Sequence, residues 1–147
     1  MLDGENGPSS RAARFIAANL RLASLPMLPE IRVHVAHPAS GLRRLIGAGA
    51  RGADPPPPYW AYHWAGGAAL ARFILDRPEW IAGRRVLDLG SGSGVVAIAA
   101  ATCGAASVVA NDVDAHAIAA IGLNAAANNV RIATILGDMT TGEPPHA

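Results

Sequence analysis

An apolar strand that runs into an acid and then three alternating glycines, Val86-Leu87-Asp88-Leu89-Gly90-Ser91-Gly92-Ser93-Gly94, constrains this chain more than any other stretch. Glycine lacks a Cβ, so these positions permit the dihedrals of a tight strand-to-helix turn and let a ligand approach the backbone closely. A turn of that kind opens a β-α-β unit, and the segments after it continue the pattern. Val86 to Leu89 reads as a strand, about Val95 to Cys103 as its crossover helix, and Ser107 to Asn111 as a second strand. Asp114 then caps a helix through about Ala127, and Arg131 to Gly137 forms a third strand. Alternating apolar strands and helices predict an α/β fold with a doubly wound parallel sheet and right-handed crossovers, Rossmann-like in form.

Upstream, residues from Ser9 or Ser10 to about Ala23 have the apolar spacing of a helix with a serine cap, ended by Pro26 and Pro29. Ile31 to His37 alternates apolar and polar residues as a half-buried strand does. Glycines 47, 49 and 52 make a flexible connector, and Pro55 to Pro58 make a stiff polyproline segment. The expected division is therefore an N-terminal extension over 1–54, holding helix, strand and connector, and a cofactor-binding half-domain over 55–147. Past the connector, Tyr59 to Trp64 gathers most of the aromatic residues, and Gly66-Gly67 opens a helix from about Ala68 to Asp76. A doubly wound domain normally continues beyond a third strand, so the chain is expected to be the front portion of a longer protein, with one sheet edge and face left bare.

With 147 residues, 51% apolar content and a net charge of +1, the chain has ample material for a core and no charge run suited to nucleic acid or an anionic membrane. No stretch approaches the length of a membrane span. A single cysteine, Cys103, allows no internal disulfide, and a cytoplasmic location is the expectation. The five histidines show no metal-ligand spacing, so no metal is expected.

Two fingerprints overlap in the glycine turn. Gly92-x-Gly94-x-x-Ala97 satisfies a dinucleotide pattern, with Asp112 about 20 residues on for a ribose. Asp88-x-Gly90-x-Gly92-x-Gly94 also explains the acid at the strand end. That acid would repel a pyrophosphate and suits a ligand bearing cationic groups, such as the sulfonium and ammonium of S-adenosylmethionine, so the turn favours a methyl donor. Asp112 is assigned to the ribose and Asp114 to the helix cap, although both acids could simply solvate the loop. Asp138 could hold an adenine amino group or form a turn beside Gly137. Trp64 and its aromatic neighbours could line the cofactor or acceptor site, or plug the space beneath the polyproline segment.

Taken together, Asp88 to Gly94, Asn111-Asp112-Val113-Asp114 and Gly137-Asp138 resemble the first three cofactor motifs of the class I, seven-β-strand, S-adenosylmethionine-dependent methyltransferases. More narrowly, Pro29-Glu30-Ile31-Arg32, Pro58 to Arg72 and Ala110 to Asp114 resemble the electron-transfer-flavoprotein β-subunit lysine methyltransferases and their bacterial relatives. The resemblance implies methyl transfer to lysine of a protein substrate, possibly that β subunit. It implies a cofactor pocket formed by Trp64, Asp88, Gly90, Ser91, Gly92, Gly94, Asp112, Val113 and Asp138. The family's Asp-x-Phe-Tyr-like segment near the substrate lysine has no counterpart, since Thr140-Thr141 replace the aromatic pair after Asp138, and no catalytic residue is assigned. The alternatives are a methyltransferase acting on another protein or a small molecule, a cofactor-binding remnant without activity, and a nicotinamide-dependent oxidoreductase.

Overall fold

The computed structural model describes residues 8–47 and 56–141. The expected connector glycines Gly49 and Gly52, together with Pro55 and the tail from Gly142, lie outside them. Three parallel strands, β3 (Arg85–Leu89), β4 (Ser107–Asp112) and β5 (Ala133–Leu136), form a sheet in that order. Helix α4 (Val95–Thr102) crosses from β3 to β4, and α5 (Ala115–Ala127) from β4 to β5. These elements match the expected Rossmann-like half within a residue or two at each end.

One face of the sheet is covered. Val108 and Ala110 of β4 are buried against Ala97 and Ala100 of α4 and Ile121 of α5. The alanines let the helices sit close to the strands, and Gly94 tightens the approach further, since a Cβ there would lie 3.3 Å from Ile121 Cγ1. The opposite face carries Leu87 and Leu89 of β3, which are 45% and 54% exposed. Among the described residues nothing packs over them, so the expectation of a bare apolar face holds for this part of the chain. Because these leucines bury little, Leu87→Thr with Leu89→Thr should change stability by only about 0.5 kcal/mol per site. Thermal denaturation would show it, and binding of a hydrophobic dye should fall.

The N-terminal region differs from the sequence expectation. Helix α1 (Pro8–Asn19) starts ahead of the serines expected to cap it and stops four residues short of Ala23. The Asn19 side chain turns back to donate to the Phe15 carbonyl at 2.9 Å, and the chain then leaves as a strand. Residues 21–25 are β1 (Arg21–Leu25), which pairs antiparallel with β2 (Leu28–Val35), so Pro26 lies in a hairpin turn and Pro29 within the second strand. Strand β2 also begins three residues before Ile31 and ends at Val35.

A short helix α2 (Leu42–Ile46), for which the sequence offered no expectation, follows just ahead of the connector glycines. After it come a 3-10 turn at Tyr59–Ala61 and helix α3 (Ala65–Asp76), which starts three residues earlier than expected. Ile16 of α1, Leu20 just after it, Leu42 and Leu45 of α2, and Trp60 share one core with Ala117 and Ala120 of α5. The hairpin's Leu28, Ile31 and Val33 share a second core with Ala71 and Ile74 of α3 and Ile98 of α4. Arg72 on α3 ties these layers together by donating to Glu30 on β2 and to Asp76, each at 2.8 Å. Cys103 packs beside α3, with its thiol 3.4 Å from the Ile74 carbonyl, and burial pushes its pKa up, which keeps it unreactive.

Candidate cofactor site

The carboxyl ends of β3 and β4 open into a cavity of about 670 Å³, within the usual range for a small-molecule site. Its floor is the turn after β3, where Gly90, Gly92 and Gly94 have φ of 65°, 56° and 83°, in the left-handed region that side chains other than glycine's rarely adopt. A Cβ on Gly90 would meet no protein atom within 4 Å, which leaves open space beside this stretch of the turn.

The turn is braced by two acids. The Asp88 carboxylate accepts the Ser91 hydroxyl at 2.6 Å and the Ala97 backbone N–H at 3.2 Å, so it closes the first turn of α4 from the end of β3. Burial pushes its pKa above the ordinary 3.8. The two hydrogen bonds oppose that shift, and the nearby charge of Asp112 adds to it. Asp112, at the end of β4, accepts the Gly92 N–H at 2.9 Å on one oxygen and the Asp114 N–H at 3.0 Å on the other. Asp114 caps α5 as expected, accepting the His116 N–H at 2.8 Å. Burial alone would raise its pKa, but bonds from the His116 ring and backbone hold it below the ordinary value.

Aromatic residues form the wall facing the turn. Trp60 is buried, stacks on the His116 ring at 6.1 Å between centroids, and keeps its indole N–H without a hydrogen-bond partner among the described residues. Trp64 is more than half exposed at the mouth, where its indole donates to the Tyr59 carbonyl at 3.0 Å and its ring meets the Tyr59 edge. Both rings line the cavity, Trp60 from the core and Trp64 at the mouth.

Of the expected site residues, Trp64, Asp88, Gly90, Ser91, Gly92, Asp112 and Val113 line one cavity. Gly94 does not, because it serves as the α4 N-cap against Ile121. Asp138 lies outside as well, with one carboxylate oxygen taken by the backbone and hydroxyl of Thr140 at 2.8 and 2.6 Å. Those bonds pull its pKa down and close a turn. Trp60 and Tyr62, raised from sequence only as aromatic neighbours of Trp64, also line the cavity.

The family model for ribosomal protein L11 methyltransferase (PrmA) matches residues 72–144, the stretch that builds the sheet and both acids. Electron transfer flavoprotein β-subunit lysine methyltransferase of Danio rerio is 56% identical over 75 residues, which is 51% of this chain and 29% of that protein. The homolog of that enzyme in Caenorhabditis elegans is 38% identical over 121 residues, 82% of this chain and 48% of its own. Over the matched stretch the chain is similar to methyltransferases that act on proteins by name. It spans less than half the length of these two curated relatives. In fold alone it is similar to a T. thermophilus 16S rRNA N2 G1207 methyltransferase solved with AdoMet and guanosine, with TM-score 0.54 and 23% identity over 84% of this chain and 29% of that one.

The methyltransferase cofactor suits this cavity on two grounds. The carboxylates of Asp88 and Asp112 lie along the side where a cationic amino-acid group and a ribose need acceptors, and the apolar Val95, Val96 and Val113 flank them. The lining also carries three carboxylates, Asp88, Asp112 and Asp114, whose negative charge disfavours a phosphate.

Proposed function

We propose that this chain binds S-adenosylmethionine in the cavity between the glycine turn and the Trp60–Trp64 wall, and that the protein transfers methyl groups to lysine of a protein substrate. The observation that carries the cofactor reading is the Asp88 carboxylate at the N-terminus of α4. It takes the Ala97 N–H at the place where a dinucleotide's pyrophosphate would need a donor and no negative charge. Three amides of the turn are engaged as well, with Ser91 donating to the Asn111 carbonyl, Gly92 to Asp112 and Gly94 to the Ser91 carbonyl. A phosphate would meet the carboxylates of Asp88 and Asp112 beside the amides that are left.

When bound, the cofactor supplies an activated methyl group. The chain's own residues do the positioning. Asp112 offers its remaining lone pairs to ribose hydroxyls, Asp88 faces the ammonium end, and the Trp60–Trp64 wall excludes water. A lysine acceptor has an ordinary pKa near 10.4 and must lose its proton before it can attack, and the apolar mouth of Tyr62, Trp64 and Val113 disfavours the ammonium form. The lysine class and the electron-transfer-flavoprotein β subunit as acceptor rest on the names of the relatives.

Calorimetric titration with S-adenosylhomocysteine, with NAD as the parallel ligand, tests the cofactor reading. Binding of the first and not the second is the expected result, and the reverse would sink it. Affinity should also depend on pH through Asp88. Its pKa is raised above 3.8, so as pH falls through the raised value the carboxylate takes up a proton and its attraction for the ligand's ammonium group weakens. Asp88→Asn should remove that dependence. For the free protein the sign is opposite: the folded state holds this proton more tightly than the unfolded chain, so the Asp88 contribution to stability declines as pH rises through the same window. Incubation of the protein with S-adenosylmethionine and the flavoprotein β subunit, read by mass spectrometry of its lysines, tests the acceptor.

A further inference from the structure

Strand β2 is joined to β1 along one edge, and its other edge is met by side chains of α5 where a third strand would otherwise pair. Asn128 accepts the Arg32 N–H at 2.9 Å and donates to the Arg32 carbonyl at 2.6 Å. Asn124, one turn earlier on α5, accepts the His34 N–H at 2.8 Å on the same oxygen that faces the His34 ring Nδ1, also at 2.8 Å. The fit is geometric. Four residues of helix advance about 6 Å and two residues of strand about 6.6 Å, so an i, i+4 pair on α5 matches an i, i+2 pair on β2.

Asn124 also reaches the other way. It is fully buried, and its amide nitrogen donates to the Ser93 carbonyl at 2.8 Å, inside the glycine turn. Because its oxygen faces the His34 N–H, the amide has one permissible orientation; turned over, it would set donor against donor. That orientation puts the His34 proton on Nδ1. The same hairpin holds the opposite wall of the cavity, since the Ala36 N–H donates to the Ala61 carbonyl at 2.8 Å, next to Trp60.

We infer that Asn124, held by His34 of the N-terminal hairpin, is a positioning residue that fixes the glycine turn for cofactor binding. The inference rests on the methyl-donor reading of the cavity. Without Asn124 the Ser93 carbonyl, on a buried residue, loses its side-chain partner, and the turn is free to drift from Asp112 and Asp88.

The test is S-adenosylhomocysteine affinity, measured by calorimetry well below each variant's unfolding temperature, together with amide hydrogen exchange of the turn. Asn124→Ala should weaken binding about tenfold and speed exchange at Gly92 and Gly94. His34→Leu keeps the backbone bond to Asn124 and should weaken binding about threefold, so it carries the same test if Asn124→Ala fails to fold. Ile74→Ala, a core truncation on α3 away from the cavity, is the control for lost stability and should leave both readings at wild-type values. If the Asn124 and His34 variants bind as tightly as Ile74→Ala while the wild type binds, the positioning role is overturned. If the wild type itself does not bind, the methyl-donor reading falls and takes the inference with it.

Discussion

Asp112→Ala is expected to reduce affinity for S-adenosylhomocysteine by two to three orders of magnitude while leaving the fold intact. The carboxylate does two jobs at once. It accepts the Gly92 and Asp114 N–H groups at 2.9 and 3.0 Å, and its remaining lone pairs face the cavity where a ribose would lie. Hydrogen bonds to a charged group contribute about 1.5–3 kcal/mol each, so losing the ribose contacts together with the brace on the turn amounts to about 3–4 kcal/mol in binding. At about 1.4 kcal/mol per decade, that is roughly a hundred- to a thousandfold. Asp112→Asn keeps one acceptor and should lose only about tenfold. Calorimetry reads the affinities and circular dichroism the fold. An Asp112→Ala protein that is folded and binds at wild-type strength would remove the ribose role.

Trp60→Ala should be the most destabilising single change in the wall, at about 3–5 kcal/mol, by loss of apolar burial and by the cavity left behind. The ring is only 2% exposed, packs in the core shared by α1, α2 and α5, and stacks on His116. For a chain of this size the melting temperature should fall by roughly 10 °C or more. Trp60→Phe separates shape from polarity. It keeps most of the buried ring and deletes an indole N–H that makes no full hydrogen bond among the described residues, although it lies near enough to Asp114 to help hold that carboxylate's pKa down. Trp60→Phe should therefore lie within about 1.5 kcal/mol of the wild type in thermal or urea denaturation, and a loss as large as that of Trp60→Ala would show that the indole nitrogen does bond in solution.

The parts of this molecule that could be read in the sequence are those whose signal is local. An apolar pair, Val86-Leu87, running into Asp88 and three glycines states a strand, a turn and a helix within a dozen positions, and Asp114 announces the cap it makes two residues on. The hairpin was hidden because its pairing is not local to the stretch it overrides. Leu20 to Ala23 continues the apolar spacing of α1, and only the partners Val35, His34 and Val33 convert Arg21 to Ala23 to a strand. Asp88 was legible as an unusual acid, but its bond to Ala97 nine residues later was not, so charge toward a ligand was its whole account. Asn124 and Asn128 are harder still. They sit in an alanine-rich helix whose apolar residues surround the axis, and their partners lie 90 and 96 residues earlier. The signal available was two amides at helical i, i+4 spacing in an otherwise apolar helix, which asks what buried backbone they serve.

The bond between β2 and α5 also gives the hairpin two independent fastenings. Strands joined through a backbone ladder depend on every residue of their partner keeping an extended shape, whereas the far edge of β2 is met by side chains of a helix that the sheet would require anyway. The buried Leu28, Ile31 and Val33 and the Arg72–Glu30 pair hold the same hairpin against α3 and α4. Loss of the asparagines therefore loosens one edge of the hairpin while its packing keeps it in place, so sequence change can alter how firmly the turn is braced without dismantling the fold.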